Sequence, residues 1–397
     1  MRTAWRDFFM ADRKRLPEMD ILRGMAILMV LLYHSIIVFP VNLHEIQWCS
    51  ALHTFLWVVQ MPLFFLVSGF CYSGLHGAGY GTYLRKKCSR ILIPHIVFSL
   101  LDILPRIIPN PLVNEQMEWR EALKDFAVYG GSDWFLWTLF VIAALFPLLL
   151  WALDRGRWGR MAVLFFAVLM FVLKGQMPDE FLLNMVSQYL LYYTAGWLLR
   201  QWRETRTAQA EAGSGQAQVE TGAGNPKMGM TRRNSVLCAA ALPGIVLFFA
   251  GFLRWEHNRY LELACVICSS LFFGGLSCLL AGKETGGTSC TPAGKETGGT
   301  SCTPAGKGTG AVVRGFRGFL TDCGTWSLQM YLLDAYALVV TRTLIVSVLG
   351  IQNPAVVILG NFIADTLIVL AVSKYILTKV KVFRILCGIP EKKTNAV

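Results

Sequence analysis

Residues 20–34 read Asp20-Ile21-Leu22-Arg23-Gly24-Met25-Ala26-Ile27-Leu28-Met29-Val30-Leu31-Leu32-Tyr33-His34, and the fold class follows from what this stretch tolerates. It has the apolar density of a membrane-spanning helix, yet it carries an acid and a guanidinium at one end and an imidazole deep inside. Ionisable groups within a span cost about 3 kcal/mol each on insertion scales, so those that persist are functional candidates. Arg23 and His34 are eleven positions apart. At about 100° per residue that is about three whole turns, which puts them on one face about 16 Å apart along the axis. Asp20 lies within roughly 40° of the same stripe.

The rest of the chain extends this reading. Of its 397 residues, 54% are hydrophobic and 16% charged, where a soluble domain carries about a quarter charged residues. The mean hydropathy is +0.48. Apolar stretches of span length recur from end to end, which predicts an all-α polytopic membrane helical bundle. We read about ten transmembrane helices, at approximately 20–40, 51–74, 91–109, 134–152, 160–175, 181–200, 236–253, 260–281, 318–341 and 354–377.

The formal charge of +12 raises nucleic acid as a partner, but the distribution of basic residues excludes it. With both termini cytoplasmic, only Arg106, Arg120, Lys124, Lys174, Arg254, Arg259 and Arg342 of the 37 Lys and Arg fall outside. That is the positive-inside pattern of a multi-pass protein in a bacterial-type cytoplasmic membrane, and an odd number of spans would destroy it. The basic N-terminus runs straight into a full-length span, without a cleavable signal pattern. Most of the 11 cysteines fall in apolar spans and behave as small hydrophobes, so neither a disulfide framework nor a metal site is expected. Cys265 and Cys268 have CxxC spacing but no His or further Cys beside them.

Two hydrophilic interruptions, 201–233 and 282–315, read as flexible cytoplasmic linkers within one membrane domain covering 1–397. The second contains a perfect duplication: AGKETGGTSCTP at 281–292 repeats at 293–304. A small polar unit of this kind has no hydrophobic face with which to build a core or a solenoid. On the outside, mixed charge and apolar spacing from Glu115 to Tyr129 suggests a short amphipathic helix within the loop at 110–133. No large soluble domain is left over, so chemistry belongs inside the helical bundle or at its rim.

Several motifs now carry a family resemblance. Arg23, ten residues and His34, preceded by Asp20-Ile21-Leu22, resemble the opening of the integral-membrane acyltransferase 3 family. Met61-Pro62-Leu63-Phe64-Phe65-Leu66-Val67-Ser68-Gly69-Phe70 resembles its next signature, and the basic run Arg85-Lys86-Lys87-Cys88-Ser89-Arg90-Ile91-Leu92-Ile93-Pro94 a third. Asp133-Trp134-Phe135-Leu136-Trp137 is similar to the Trp-Phe-Leu element of span four, and Trp326-Ser327-Leu328-Gln329-Met330-Tyr331-Leu332-Leu333 to a late-span signature. The likeness is greatest to the sugar O-acetylase-like branch, and 155–315 adds only compatible hydropathy. It implies an acyltransferase that moves an acyl group, in this branch acetyl, from cytoplasmic acyl-CoA to a hydroxyl of a cell-envelope glycan or related sugar. No tightly bound cofactor is implied; acetyl-CoA is a donor substrate, and the partners are membrane lipids and the glycan acceptor. Relatives often carry His where this chain has Gln60 and, at the end of the late signature, where it has Asp334, so His34 stands without a second imidazole.

The residues themselves suit that chemistry. An alcohol is a poor nucleophile toward a thioester, and a His base contributes about 10²- to 10⁴-fold. His34 is the candidate base, past the bilayer midplane; its alternative reading is a core histidine bonded to a neighbouring helix. Arg23, at the cytoplasmic rim, is assigned to catalysis and to the CoA phosphates, with a snorkelling, orientation-setting Arg as the alternative. Asp20 would pair with Arg23 at i,i+3. Arg85, Lys86 and Arg90 face the same rim, where they either bind CoA phosphates or set topology and attract anionic lipid. Ser68, beside Gly69, is read mainly as a close-packing residue. Trp134 and Trp137 are belt anchors or a sugar-stacking platform. Asp102 and Arg106, at i,i+4, are expected to pair with each other, while Asp334 and Asp365 must find partners. Asp334 is the first choice for the acid that orients His34. The competing class is a secondary transporter or exporter of a sugar-containing or anionic substrate, although no repeat relates the two halves of the chain.

Overall fold

The computed structural model describes residues 16–72, 74–75, 79–107, 117–131, 133–154, 156–214, 226–254, 258–282 and 309–389. Among them the secondary structure is helical throughout, with no strands. The chain is an all-α polytopic bundle, and eight of the described helices are long and apolar enough to cross a membrane.

The described residues fall into two compact units. The larger draws on 28–220 and 326–397, the smaller on 15–27 and 221–325. Helix α1, Pro17–His34, contributes its first part to the smaller unit and its last turns to the larger. Three charged residues, Glu18, Asp20 and Arg23, occupy its 18 positions and keep it outside the set of eight. The span expected at 20–40 ends at His34: Ser35 turns its hydroxyl back onto the Leu31 carbonyl (2.7 Å), and Pro40 follows. The apolarity of Ile36 and Ile37 reflects burial of a non-helical segment, both being 3% exposed.

In the larger unit, α2 (Gln47–Phe70) packs along α7 (Leu183–Ser214). The approach is close because each helix offers a glycine where the other presents backbone. A Cβ on Gly69 would stand 1.9 Å from the Tyr193 carbonyl oxygen, and one on Gly196 1.9 Å from that of Leu66. Arg200 of α7 donates from Nη1 to the carbonyls of Phe70 (3.1 Å) and Tyr72 (3.2 Å), placing a cation on the carbonyl end of α2. Ser68 is half-buried beside this contact.

Helix α3, Tyr80–Ile107, begins eleven residues before the span expected at 91–109 and carries a wide π turn at Cys88–Leu92. Tyr80 and Tyr83 tie it to α5 (Trp134–Leu153), donating to the carbonyls of Ala144 (3.0 Å) and Ala143 (2.9 Å). Between them α4, Trp119–Tyr129, is the short helix anticipated in the outer loop; Gly130, at φ 75°, ends it in the left-handed region. Helix α6 is Arg157–Leu173.

The linker expected at 201–233 is corrected at both ends. Residues 201–214 continue α7, and α8 starts at Pro226. Ala, Gln, Glu and Arg are strong helix formers, and Arg200 pairs with Glu204 at i,i+4 (2.8 Å). Asn184, Gln188 and the tyrosines 189, 192 and 193 dilute the apolarity of α7, so it too falls outside the eight.

The smaller unit contains the hairpin of α8 (Pro226–Arg254) with α9 (Arg259–Gly282). The sulfur of Cys238 packs against Gly275 and reaches the Phe272 carbonyl at 3.4 Å. Helix α10, Thr309–Thr325, lies against the first turns of α1, where Gly24 and Gly324 face each other's helix backbone. Most of the second linker, 283–308, lies outside the described residues, but 309–315 are helical.

The span expected at 318–341 is also corrected. The helix breaks at Trp326, and α11 runs over Ser327–Arg342 with a π continuation to Val348. Helix α12, Pro354–Ala371, is capped by Asn353, which accepts from the amides of Ala355 (3.1 Å) and Val356 (3.3 Å), with Pro at the first helical position. A final short helix α13, Lys381–Leu386, leads to Cys387, whose carbonyl accepts from Gln329 Nε2 at 2.9 Å.

Candidate active site

A cavity of about 180 Å³ opens within the larger unit, where the end of α1 and the start of α5 meet the middle of α2, α3 and α11. His34, the last residue of α1, lines it, with a side chain 37% exposed. Its Nδ1 donates to Oδ2 of Asp334, about two turns into α11 and only 1% exposed. A carboxylate accepts, so Nδ1 carries the hydrogen and Nε2 is left as the lone-pair nitrogen. A protein base needs this arrangement: one nitrogen is fixed by a buried acid and the other is available to a substrate. Behind the pair, Asp365 of α12 is fully buried and interacts with Asp334.

A second polar group faces the same space from α3 and α5. Asp102 and Arg106 form the expected i,i+4 ion pair, Oδ2 to Nη2 at 2.7 Å, and both line the cavity. Asp133 also lines it. This residue occupies the N-cap position of α5, where an Asp side chain ordinarily accepts from the first helical amides, yet it makes no capping bond. Ser99 of α3 is close enough to act on it, and Ser99 Oγ lies 3.4 Å from Nδ1 of buried His95. Asp133 is close enough to His34 to act on it electrostatically.

Aromatic rings make up much of the remaining wall. Tyr33, Trp57 and Trp134 form one side: Trp57 and Trp134 have centroids 5.6 Å apart, and Tyr33 lies 5.7 Å from Trp57. Tyr331 and Tyr336 of α11 contribute the other. Outside Tyr33, His53 stacks on its ring at 4.0 Å, with His44 4.2 Å beyond.

The sequence candidates therefore separate. His34, Asp334 and Trp134 come together at the cavity. Trp137 does not line it; its indole Nε1 donates to the Phe181 carbonyl at 3.3 Å, and its ring lies 5.8 Å from that of His95. Gln60 is 0% exposed inside α2, while its neighbour Met61 reaches the cavity wall. Arg85, Lys86 and Arg90 are exposed along the first turns of α3, away from the cavity lining. Asp20 and Arg23 pair within the smaller unit, Oδ1 to Nη1 at 3.6 Å.

Asp133, Asp102, Arg106, Tyr33, Trp57, Tyr331 and Tyr336 were not among the sequence candidates for the site. For Asp102 and Arg106 the signal was present, since any ionisable group within a span is a functional candidate. Asp133 entered the sequence reading only as the first residue of the Asp133-Trp134-Phe135-Leu136-Trp137 element, with no role of its own.

A family model described as an acyltransferase domain matches residues 16–373 of the chain. Comparison with curated proteins and with solved structures returns no match.

Proposed function

The chain belongs to the acyltransferase 3 family and is a membrane acyltransferase; from that premise we propose that it transfers an acetyl group from cytoplasmic acetyl-CoA to a hydroxyl of a cell-envelope glycan. The observation that carries the reading is the His34–Asp334 pair opening on a cavity. Nε2 of His34 takes the proton of the acceptor hydroxyl as its oxygen attacks the thioester carbonyl. The tetrahedral intermediate collapses, the C–S bond breaks, and His34 returns the proton to the departing thiolate. Asp334 holds the imidazole in the tautomer this cycle needs and stabilises the imidazolium formed midway.

Cavity size supports a short acyl group. About 180 Å³ is below the roughly 300–1,000 Å³ of sites that enclose drug-sized ligands, and it suits an acetyl group beside one hydroxyl-bearing ring. On the positive-inside topology, Arg23 and the exposed Arg85, Lys86 and Arg90 lie on the cytoplasmic side and serve the CoA phosphates. The roughly 16 Å rise between Arg23 and His34 on one helix is of the order of an extended pantetheine arm. The setting is a bacterial-type cytoplasmic membrane crossed about ten times, with α1 and α7 among the crossings.

Mass spectrometry of envelope glycans from cells with and without the protein tests the assignment. Loss of an acetyl increment in its absence is the expected result. An unchanged glycan profile, together with membranes that release no CoA from acetyl-CoA, would overturn it.

A further inference from the structure

Asp365 is an ionisable group that the acyl-transfer cycle leaves unused. It sits on the buried stripe of α12, with Ile358, Asn361 and Val369. Helix α12 packs against α11, whose own stripe of Met330, Asp334, Ala337 and Thr341 carries the acid of the His34–Asp334 pair. Asp365 is 0% exposed and lies close enough to Asp334 to interact with it. Both oxygens of Asp365 and Oδ1 of Asp334 are sealed from solvent without a hydrogen-bond partner among the described residues. Buried polar atoms in this state need a donor.

No basic side chain supplies it. Asp365 takes part in none of the ion pairs among the described residues. Arg342, on α11, lies over the Phe39 ring at 5.9 Å. Asn361, one turn before Asp365 on the same face, brings an amide without charge. His34 is turned to the other oxygen of Asp334. Two carboxylates in contact away from water do not both ionise without a counter-charge, whereas one proton held between them satisfies an oxygen of each.

We propose that Asp365 keeps its proton and donates it to Oδ1 of Asp334, acting as a positioning residue for the His34–Asp334 pair. Its function rests on the acyl-transfer reading; the shared proton does not. With Oδ2 engaged by His34 and Oδ1 by Asp365, the Asp334 carboxylate is held at both oxygens and stays aligned with the imidazole. A neutral Asp365 also leaves one negative charge behind His34 instead of two. Two would hold the ring as imidazolium, whose Nε2 already carries a proton and takes none from a hydroxyl.

The test uses the full-length protein in lipid nanodiscs. Infrared spectroscopy separates the carbonyl stretch of a protonated carboxylic acid from the bands of a carboxylate, and the difference between wild-type protein and Asp365→Asn isolates Asp365. At neutral pH, without substrate, the wild-type protein is expected to show a protonated-carboxyl band that Asp365→Asn lacks. Absence of that band overturns the shared proton, whatever the protein acylates. CoA release from acetyl-CoA gives the second readout. Asn donates from its amide where the protonated acid donates, so Asp365→Asn should keep kcat within about threefold. Asp365→Val removes the donor and should lower kcat by about tenfold or more, as expected for a lost hydrogen bond to a charged group, with KM for both substrates within about threefold. Wild-type kcat in Asp365→Val, or Asp365→Asn as impaired as Asp365→Val, overturns the positioning role. If the wild-type protein releases no CoA, the acyl-transfer reading falls and the band alone decides the shared proton. If Asp365→Val fails to fold, the band and Asp365→Asn decide.

Discussion

Replacing Asp334 by Asn isolates the contribution of the buried acid to the base. The change is nearly isosteric and removes the charge, so it avoids leaving a buried carboxylate without its partner, which would cost about 3–5 kcal/mol. What it removes is specific. Asn can still accept from Nδ1–H through its amide oxygen, but it can also donate to Nδ1, which selects the tautomer with its hydrogen on Nε2. In that tautomer the nitrogen facing the cavity cannot take a proton. The stabilisation of the imidazolium by an adjacent anion is lost as well. General-base catalysis contributes about 10²- to 10⁴-fold, or about 2.7–5.4 kcal/mol at 1.36 kcal/mol per decade, and Asp334→Asn should forfeit most of it. Because Asp334 is 1% exposed and reaches substrate through His34, the loss belongs in kcat, with KM for both substrates within about threefold. The assay is CoA release from acetyl-CoA by protein in nanodiscs, with thermal unfolding in detergent as a check on integrity. A folded Asp334→Asn protein with kcat within about threefold of wild type would refute the role assigned to the pair.

Other perturbations separate the remaining parts of the account. Gly196→Leu places a side chain where even a Cβ stands 1.9 Å from the Leu66 carbonyl oxygen, so α2 and α7 must separate. Overpacking of this kind costs about 1–3 kcal/mol and should lower the detergent melting temperature by several degrees, whereas an unchanged melting temperature would show that the contact is not tight. Trp134→Ala removes one of the two neighbouring indoles at the cavity and should raise acceptor KM by about two- to tenfold, given about 0.5–1.5 kcal/mol for an aromatic pair beyond its buried area. An unchanged acceptor KM would place Trp134 in the membrane belt. The triple change Arg85→Ala, Lys86→Ala, Arg90→Ala should raise KM for acetyl-CoA, by about tenfold or more for each lost charge-assisted contact, and weaken its salt dependence. If only membrane insertion suffers, these residues set topology.

The architecture was legible because lipid allows a spanning chain few solutions, and apolar runs of span length announce helices directly. The misread boundaries share one physical cause: hydropathy records burial or solvent, while helix limits are set by backbone geometry. Ile36 and Ile37 are apolar yet lie beyond the helix, because the chain turns at Ser35. Residues 201–214 are polar yet helical, because their composition favours helix in water as well as in lipid. Within the site, His34 and Asp334 declared themselves as ionisable groups in apolar surroundings. The 300 positions between them carry no periodic signal of their contact. Asp133 was hidden for the opposite reason, since an Asp before an apolar helix has an ordinary explanation, and only its unused capping geometry shows that the explanation fails.

The central claim is that His34 serves as the base for acyl transfer to a hydroxyl. It is tested most directly by following labelled acetyl from acetyl-CoA into an ester of a hydroxylated acceptor, using purified wild-type protein and His34→Gln in nanodiscs. Ester formation by the wild-type protein is expected, with a rate about 10²- to 10⁴-fold lower for His34→Gln and the variant folded as judged by its melting temperature. Full transfer by the folded His34→Gln protein would contradict it.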